Sequence, residues 1–280
     1  MAKKSPEADT EEQEKEYAAL FAVFIKLLEA ISNDMSQWEV LEELMALRAE
    51  FAIKHAVKGF GVDYDQALEL VRNYDGDLSD IEKEERDILV AAIDNLVDFA
   101  VGAEYQMSTE LPDIDDLEEE NMEMLEAICY KYNFKYANVE NLDIEYAMIV
   151  AAGFVSISSQ TVLTYMTQGD ERVRPWHLQY EGYSAPKSQF PAWLIPPIEY
   201  GCRCYLIEES AFAQLTRVKA SSNKRPKMPE WFNPVFKESV ALGGRIFSDD
   251  HRYFECNEQH ADKLREISSR IKNKYLTNGK

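Results

Sequence analysis

The chain of 280 residues has no run of about eighteen uncharged apolar residues, so no segment is long enough to cross a bilayer as a helix. The longest candidate, Tyr17 to Leu28, is interrupted by Lys26. The pattern of a secretory leader is also missing: residues 1–16 are polar and hold six acids, which points to synthesis and retention in a cytoplasm. Cysteine is scarce. Cys129, Cys202, Cys204 and Cys256 are too few and too scattered for a disulfide framework. Histidine is equally scarce (His55, His177, His251, His260), which limits the candidates for acid–base chemistry. No phosphate-binding loop, nucleophile elbow or His-Glu-x-x-His helix occurs. Basic charge is missing from the first half: residues 1–150 hold 12 Lys and Arg against 37 Asp and Glu, whereas residues 151–280 carry a net +4. The first half would repel nucleic acid, and the second would touch DNA weakly at most. The acidic half reads as a solvated helical surface or as an arm that docks on a basic partner.

What is present is an apolar fraction of 46%, enough for a sizeable core, and strong helical periodicity. Residues 1–16 read as a flexible tail. From Tyr17, the residues Leu20, Phe21, Phe24, Leu27, Leu28 and Ile31 recur at three- and four-residue spacing. Ser36 with Glu39 has the spacing of a capping box and opens a second helix, which Gly59 and Gly61 end. Asp63 with Gln66 starts a short third helix. Ser79 with Glu82 caps a long fourth one, whose apolar stripe runs Ile81, Ile88, Leu89, Ala92, Ile93, Leu96, Val97 and Ala100. A fifth helix is predicted over about 113–130. Stripes of this kind line a core and carry no cofactor role.

After about residue 152 the character changes. Residues 155–167 are rich in β-branched and hydroxyl side chains and predict a strand. A loop with five prolines follows over about 175–201, then a short strand over 202–207, a helix over 209–219, a basic linker over 221–229 and a terminal helix over 261–275. The fold class is α+β: an acidic, mostly helical N-terminal region (17–130), a small mixed α/β domain with a short antiparallel sheet (131–257), and a C-terminal helix (258–280).

The most informative stretch lies between Tyr165 and Ile207. Thr167, Asp170, Arg172, Val173, Arg174, His177 and Gly182 form an ordered T-x-x-D-x-R-V-R-x-x-H-x-x-x-x-G element. Pro196-Pro197 and Cys202-Arg203-Cys204 follow, and Gly244 to Phe247 with His251 and Tyr253 form a late piece. This ordered combination, over about 130–255, resembles the phage Mu F-like head-morphogenesis family; the late piece departs from it in having Arg252 where the family has proline. The resemblance implies a minor capsid protein present in few copies. It would sit at the portal inside the procapsid, aid head assembly and genome packaging or delivery, and have no enzymatic turnover. Its partners would be the portal, scaffold or major capsid protein. It would be found in the host cytoplasm before assembly and inside the virion head afterwards.

The same residues have a direct physical reading. Arg172 and Arg174, two apart, point the same way on an extended segment, and Asp170 and Glu171 are near enough in sequence to pair with them and pin the loop to the sheet. Cys202 and Cys204 face one side and Arg203 the other; a disulfide between them would be strained. They are either buried packing thiols beside a hydrogen-bonded imidazole or zinc ligands with His177, and with His251 or Cys256 as a further donor. Their spacing is not the usual Cys-x₂₋₄-Cys of structural zinc sites. His177 with one of these cysteines and Asp170 is the only set resembling a nucleophilic hydrolase or transferase, and this is the alternative function. A Ser156-x-Ser158 transferase strand lacks its spaced Glu-x-Glu partner, because Glu208 and Glu209 are adjacent. A protein-binding module without either activity is the third reading.

Overall fold

The computed structural model describes residues 5–33, 35–74, 76–112, 119–208 and 225–277. Helix α1 (Thr10–Ser32) begins inside the segment expected to be a flexible tail. The reason is local and tertiary together. The Asp9 carboxylate accepts the backbone N–H groups of Glu11 and Glu12, and acidic side chains favour a helix N-terminus. Two acids of the first turns then reach α2 (Gln37–Phe60): Glu12 meets Lys58 at 2.8 Å, and Glu16 meets His55 at 3.2 Å.

The caps of the next helices follow their chemistry with one exception. Ser36 sits at the start of α2 but its side chain makes no capping bond, so the box expected with Glu39 does not form. Gly61 ends α2 in the left-handed region at φ +84°. Asp63 caps α3 (Tyr64–Val71), and the Ser79–Glu82 box caps α4 (Asp80–Thr109) from both sides. Ile81, expected in the α4 stripe, is exposed; Ile88 is the first buried residue of that face. Helix α5 (Glu119–Tyr130) runs through a π-helical turn (Lys131–Tyr136) directly into α6 (Ala137–Val155).

Helix α2 is the centre of the helical body, packed between α4 and α6 with α1 alongside. Buried apolar side chains from Leu20 to Ile271 form one cluster, so the core runs continuously across the division expected near residue 130. Two close approaches fix it. A Cβ on Gly59 would lie 2.2 Å from the Glu145 carbonyl oxygen of α6, and one on Gly102 of α4 would lie 1.9 Å from the Tyr253 carbonyl oxygen. The late motif segment is held on α4 by Asn95. Its buried amide accepts from the N–H groups of Ile246 and Phe247 and donates to the Phe247 carbonyl. The terminal helix α8 (Glu258–Leu276), capped by Asn257, lays Leu264, Ile267 and Ile271 against the body, and Arg72 caps its last carbonyls.

The sheet is small and antiparallel, as expected. Strands β1 (Val162–Met166), β2 (Ser184–Pro186) and β3 (Tyr205–Glu208) lie in the order β2-β1-β3, with Thr164 opposite both Ser184 and Ile207. The expected strand over 155–167 is shortened. Helix α6 keeps its hold to Val155 because Phe154 and Val155 are buried, and Ser156 returns its hydroxyl to the Gly153 carbonyl, which favours a turn over a ladder. The proline-bearing loop is not featureless: it holds helix α7 (Pro175–Leu178), strand β2 and two 3₁₀ turns, with a cis Pro196–Pro197 bond. The helix expected over 209–219 and the first residues of the basic linker (221–224) lie outside the described residues.

The Gly102 contact gives a sign test. Alanine in a helix interior is intrinsically about 1 kcal/mol better than glycine. Gly102→Ala is nevertheless expected to lower stability, by at least about 2 kcal/mol, because the added methyl would meet backbone that cannot move away. Denaturant unfolding of the two proteins measures the sign directly.

Candidate functional site

The motif residues meet where α7, the turn before β3 and the middle of α6 come together. Arg174 is extended and Pro175 stands at the first position of α7, where its missing N–H is harmless; this short turn aims His177 inward, leaving it 2% exposed. Gly201, at φ +64°, turns the chain so that Cys202 and Cys204 follow on one side. The turn is anchored on α6: both carboxylate oxygens of Asp143 accept the Gly201 N–H at 2.9 and 3.0 Å, and the Tyr146 hydroxyl donates to the Cys204 carbonyl.

His177 is used from both ring nitrogens. Its Nδ1 lies 3.2 Å from Cys204 Sγ and 4.0 Å from Cys202 Sγ, and its Nε2 lies 3.2 Å from Glu199 Oε2. The same Glu199 oxygen accepts the Trp176 indole N–H at 2.9 Å and lies 3.5 Å from Arg174 Nε. Arg174 also donates to the Tyr200 carbonyl. Burial raises the Cys202 thiol well above its ordinary range. Cys204 is instead lowered, first by the hydrogen bond from Cys202 and further by Arg174 and Arg203 nearby. The Tyr165 hydroxyl of β1 is buried beside both thiols, and burial together with them raises its pKa far above the ordinary range. His177, Cys202 and Cys204 thus form a cluster whose donor atoms all lie within 4.8 Å of one another, close enough to hold a metal ion.

Other motif residues take different partners from those expected. Asp170 does not pair with the side chains of Arg172 or Arg174. It grips Arg203 in a two-pronged ion pair at 2.8 Å on each arm and accepts the Arg172 N–H, because Arg203 faces outward from the Cys-x-Cys turn toward it. The Arg172 side chain has no ion pair among the described residues and lines a crevice beside Cys204 that offers only about 20 Å³. Gly182 supplies a left-handed turn (φ +80°) and donates to the Tyr165 carbonyl. His251 and Cys256 are not in the cluster. His251 packs in the core against Phe99, Tyr200 and Tyr253, and its Nδ1 accepts the Tyr253 N–H; burial and Arg252 lower its pKa to about 4. Cys256 is exposed. Glu199, Asp143 and Tyr146 complete the site but carry no local sequence signal, being an isolated acid in a loop and two polar residues in an apolar helix.

A second cluster links α1, α2 and α6. His55 is buried between Glu16 and Glu145, at 3.2 and 3.4 Å, with Lys58 bridging Glu12 and Glu145. Burial works to lower the imidazole's pKa, but the hydrogen bonds to Glu145 and Glu16 outweigh it and lift the value to about 9. No known family profile matches the sequence, and neither a curated protein nor a solved structure is significantly similar to it.

Two outcomes follow from this geometry. A histidine held above its ordinary value of 6.5 adds stability that is complete below that pH and disappears as pH rises through about 9. The stability advantage of the native chain over His55→Gln, of the order of 3 kcal/mol at pH 6, should therefore shrink steadily between pH 6.5 and 9.5 in denaturant titrations. His177→Ala leaves a cavity, a buried thiol and a carboxylate without their partner, and should cost about 2–4 kcal/mol in the same assay.

Proposed function

We propose that the chain is a minor head protein of the Mu F-like kind, an assembly component seated at the portal inside the procapsid. The observation that carries this reading is the meeting of the motif residues. Asp170 with Arg203, Arg174 with Glu199, and His177 with Cys204 join pieces that lie 25 to 33 residues apart in sequence. These contacts lock an irregular, proline-bearing segment onto a three-stranded sheet. Rigid presentation of a surface is what an assembly protein requires, and it needs no open cleft. A virion location, inside the head after a cytoplasmic stage, and contact with portal, scaffold or capsid protein belong to the same reading.

Zinc is the metal we assign to the cluster. A tetrahedral zinc with two thiolates and one imidazole sets sulfur and nitrogen about 3.6 Å apart; the two Nδ1–Sγ distances of 3.2 and 4.0 Å bracket that value. Glu199 on the far imidazole nitrogen is the outer carboxylate that orients metal-binding histidines. Cys202, Cys204 and His177 would hold the ion, and it would act as a staple.

A hydrolase or transferase is the second reading, favoured by the Cys204–His177–Glu199 series, which has the order of nucleophile, base and orienting acid. Access to the thiol argues against it. A cavity of about 440 Å³ is lined by His177 and Glu199, within the range of roughly 300–1,000 Å³ for substrate pockets, but neither cysteine lines it; Cys204 is 3% exposed and the crevice beside it holds about 20 Å³.

The test is co-expression with the portal protein of its own phage, followed by affinity capture and metal analysis. The expected result is co-purification with portal and about one zinc per chain, with the zinc lost in Cys202→Ser/Cys204→Ser. Failure to capture portal overturns the assembly reading. Capture of portal without zinc overturns the metal assignment alone.

A further inference from the structure

A pocket of about 420 Å³ opens at the start of α6, where the π-helical turn and α6 meet the late motif segment. Tyr136, Val139, Tyr200, Val235, Arg252 and Tyr253 line it, together with the buried Glu140 and His251. The volume falls within the range of small-ligand sites, and the lining is predominantly apolar and aromatic. A π-helical turn inside an α-helix costs regular hydrogen bonding and recurs at functional positions; here it ends at Tyr136, on the pocket wall.

Arg252 sets the chemistry. The chain carries 51 acids against 30 bases, and its other arginines mostly hold a carboxylate or a backbone carbonyl, as Arg48, Arg72, Arg203 and Arg270 do. Arg252 has no carboxylate within ion-pair distance among the described residues. Its guanidinium is stacked 5.4–5.5 Å from the ring centres of Tyr132, Tyr136 and Tyr253 and touches the Tyr132 hydroxyl at 3.4 Å. The two nearby acids are already committed: Glu110 to Lys131 and the Tyr132 hydroxyl, and the buried Glu140 to Arg48 at 2.7 Å. His251, whose Nδ1 takes the Tyr253 N–H, brings a ring that is neutral at pH 7. The largely apolar pocket therefore carries one oriented cation that makes no direct ion pair among the described residues, while Glu140, which also lines it, spends its charge on Arg48. A guanidinium pre-ordered on aromatic faces loses little freedom on meeting an anion.

We infer that this pocket binds a compact apolar or aromatic body ending in a single anionic group, with the body between Tyr136, Tyr200 and Val235 and the anion on Arg252. A free aromatic or aliphatic acid and the C-terminal residue of a partner chain share that chemistry.

The full chain is titrated with anilinonaphthalene sulfonate, an aromatic body bearing one anion, and with the uncharged N-phenylnaphthylamine, with fluorescence as the readout. Both are expected to bind one site. Arg252→Gln should weaken the sulfonate about tenfold and leave the neutral probe within twofold, while Arg252→Lys retains most of the binding. Val139→Trp, placed at a wall position that is 42% exposed, should fill the pocket and remove both probes; thermal unfolding of each variant verifies that it is folded. Equal loss of both probes in Arg252→Gln, or unchanged binding in Val139→Trp, overturns the inference. Competition then separates the sources. Displacement of the sulfonate by phenylpropionate points to a free acid, and displacement only by a peptide ending in a free Phe carboxylate points to a partner's C-terminus. Equal displacement by the amidated peptide overturns the requirement for an anion.

Discussion

His177 uses its two ring nitrogens to tie together parts of the fold that have no ladder of their own. On one side Nδ1 meets the thiols of a turn that Asp143 and Tyr146 anchor to α6. On the other side Nε2 meets Glu199, which also collects Trp176 and Arg174 from the start of α7. Most of the segment between β1 and β3 is irregular, its backbone paired in separate short turns and not in a continuous ladder. A buried imidazole with both nitrogens engaged is a fixed point on which such a segment can be ordered. The outer face is closed by the Asp170–Arg203 pair, so Arg203 serves the lock from the solvent side while its neighbours serve it from within. A metal at the thiols would strengthen the same connection without altering its logic.

The acidic half is stabilised by a different arrangement of the same kinds of groups. Arg48 and Glu140 pair in the interior, and His55 sits between two carboxylates where α1, α2 and α6 meet. Buried ionic contacts add less net stability than their distances suggest, but removing one partner is costly. They also fix which helix lies beside which. The large negative charge of the first half is thus partly internal to the helical body rather than wholly a solvated face.

Much of this organisation is legible in the sequence where the signal is local. The Ser79–Glu82 box, the Asp63 cap, the Gly61 stop and the apolar stripes of α1, α2 and α8 follow from spacing and capping chemistry alone. The α+β class and the short antiparallel sheet follow from the change of composition after α6. The site was half visible: the two cysteines, the imidazole and the arginines stand in a recognisable order, but the groups that complete it do not. Glu199 and Asp143 act through contacts made only when α6 and the loop meet. The redirection of Asp170 to Arg203 likewise depends on which face of the Cys-x-Cys turn looks outward. The start of α1 was obscured by its acidity, which reads as solvated tail until Lys58 and His55 are placed opposite it.

Hydrogen exchange on the native chain and on Glu199→Gln tests the central claim most directly, because that substitution keeps the shape of the side chain while weakening its grip on His177. The account predicts faster exchange across residues 176–204, including the amides of Gly182, Lys187 and Cys202 that hold the loop to the sheet and turn, with the amides of α2 and α4 unchanged. Protection of that loop equal to the native chain's would contradict it.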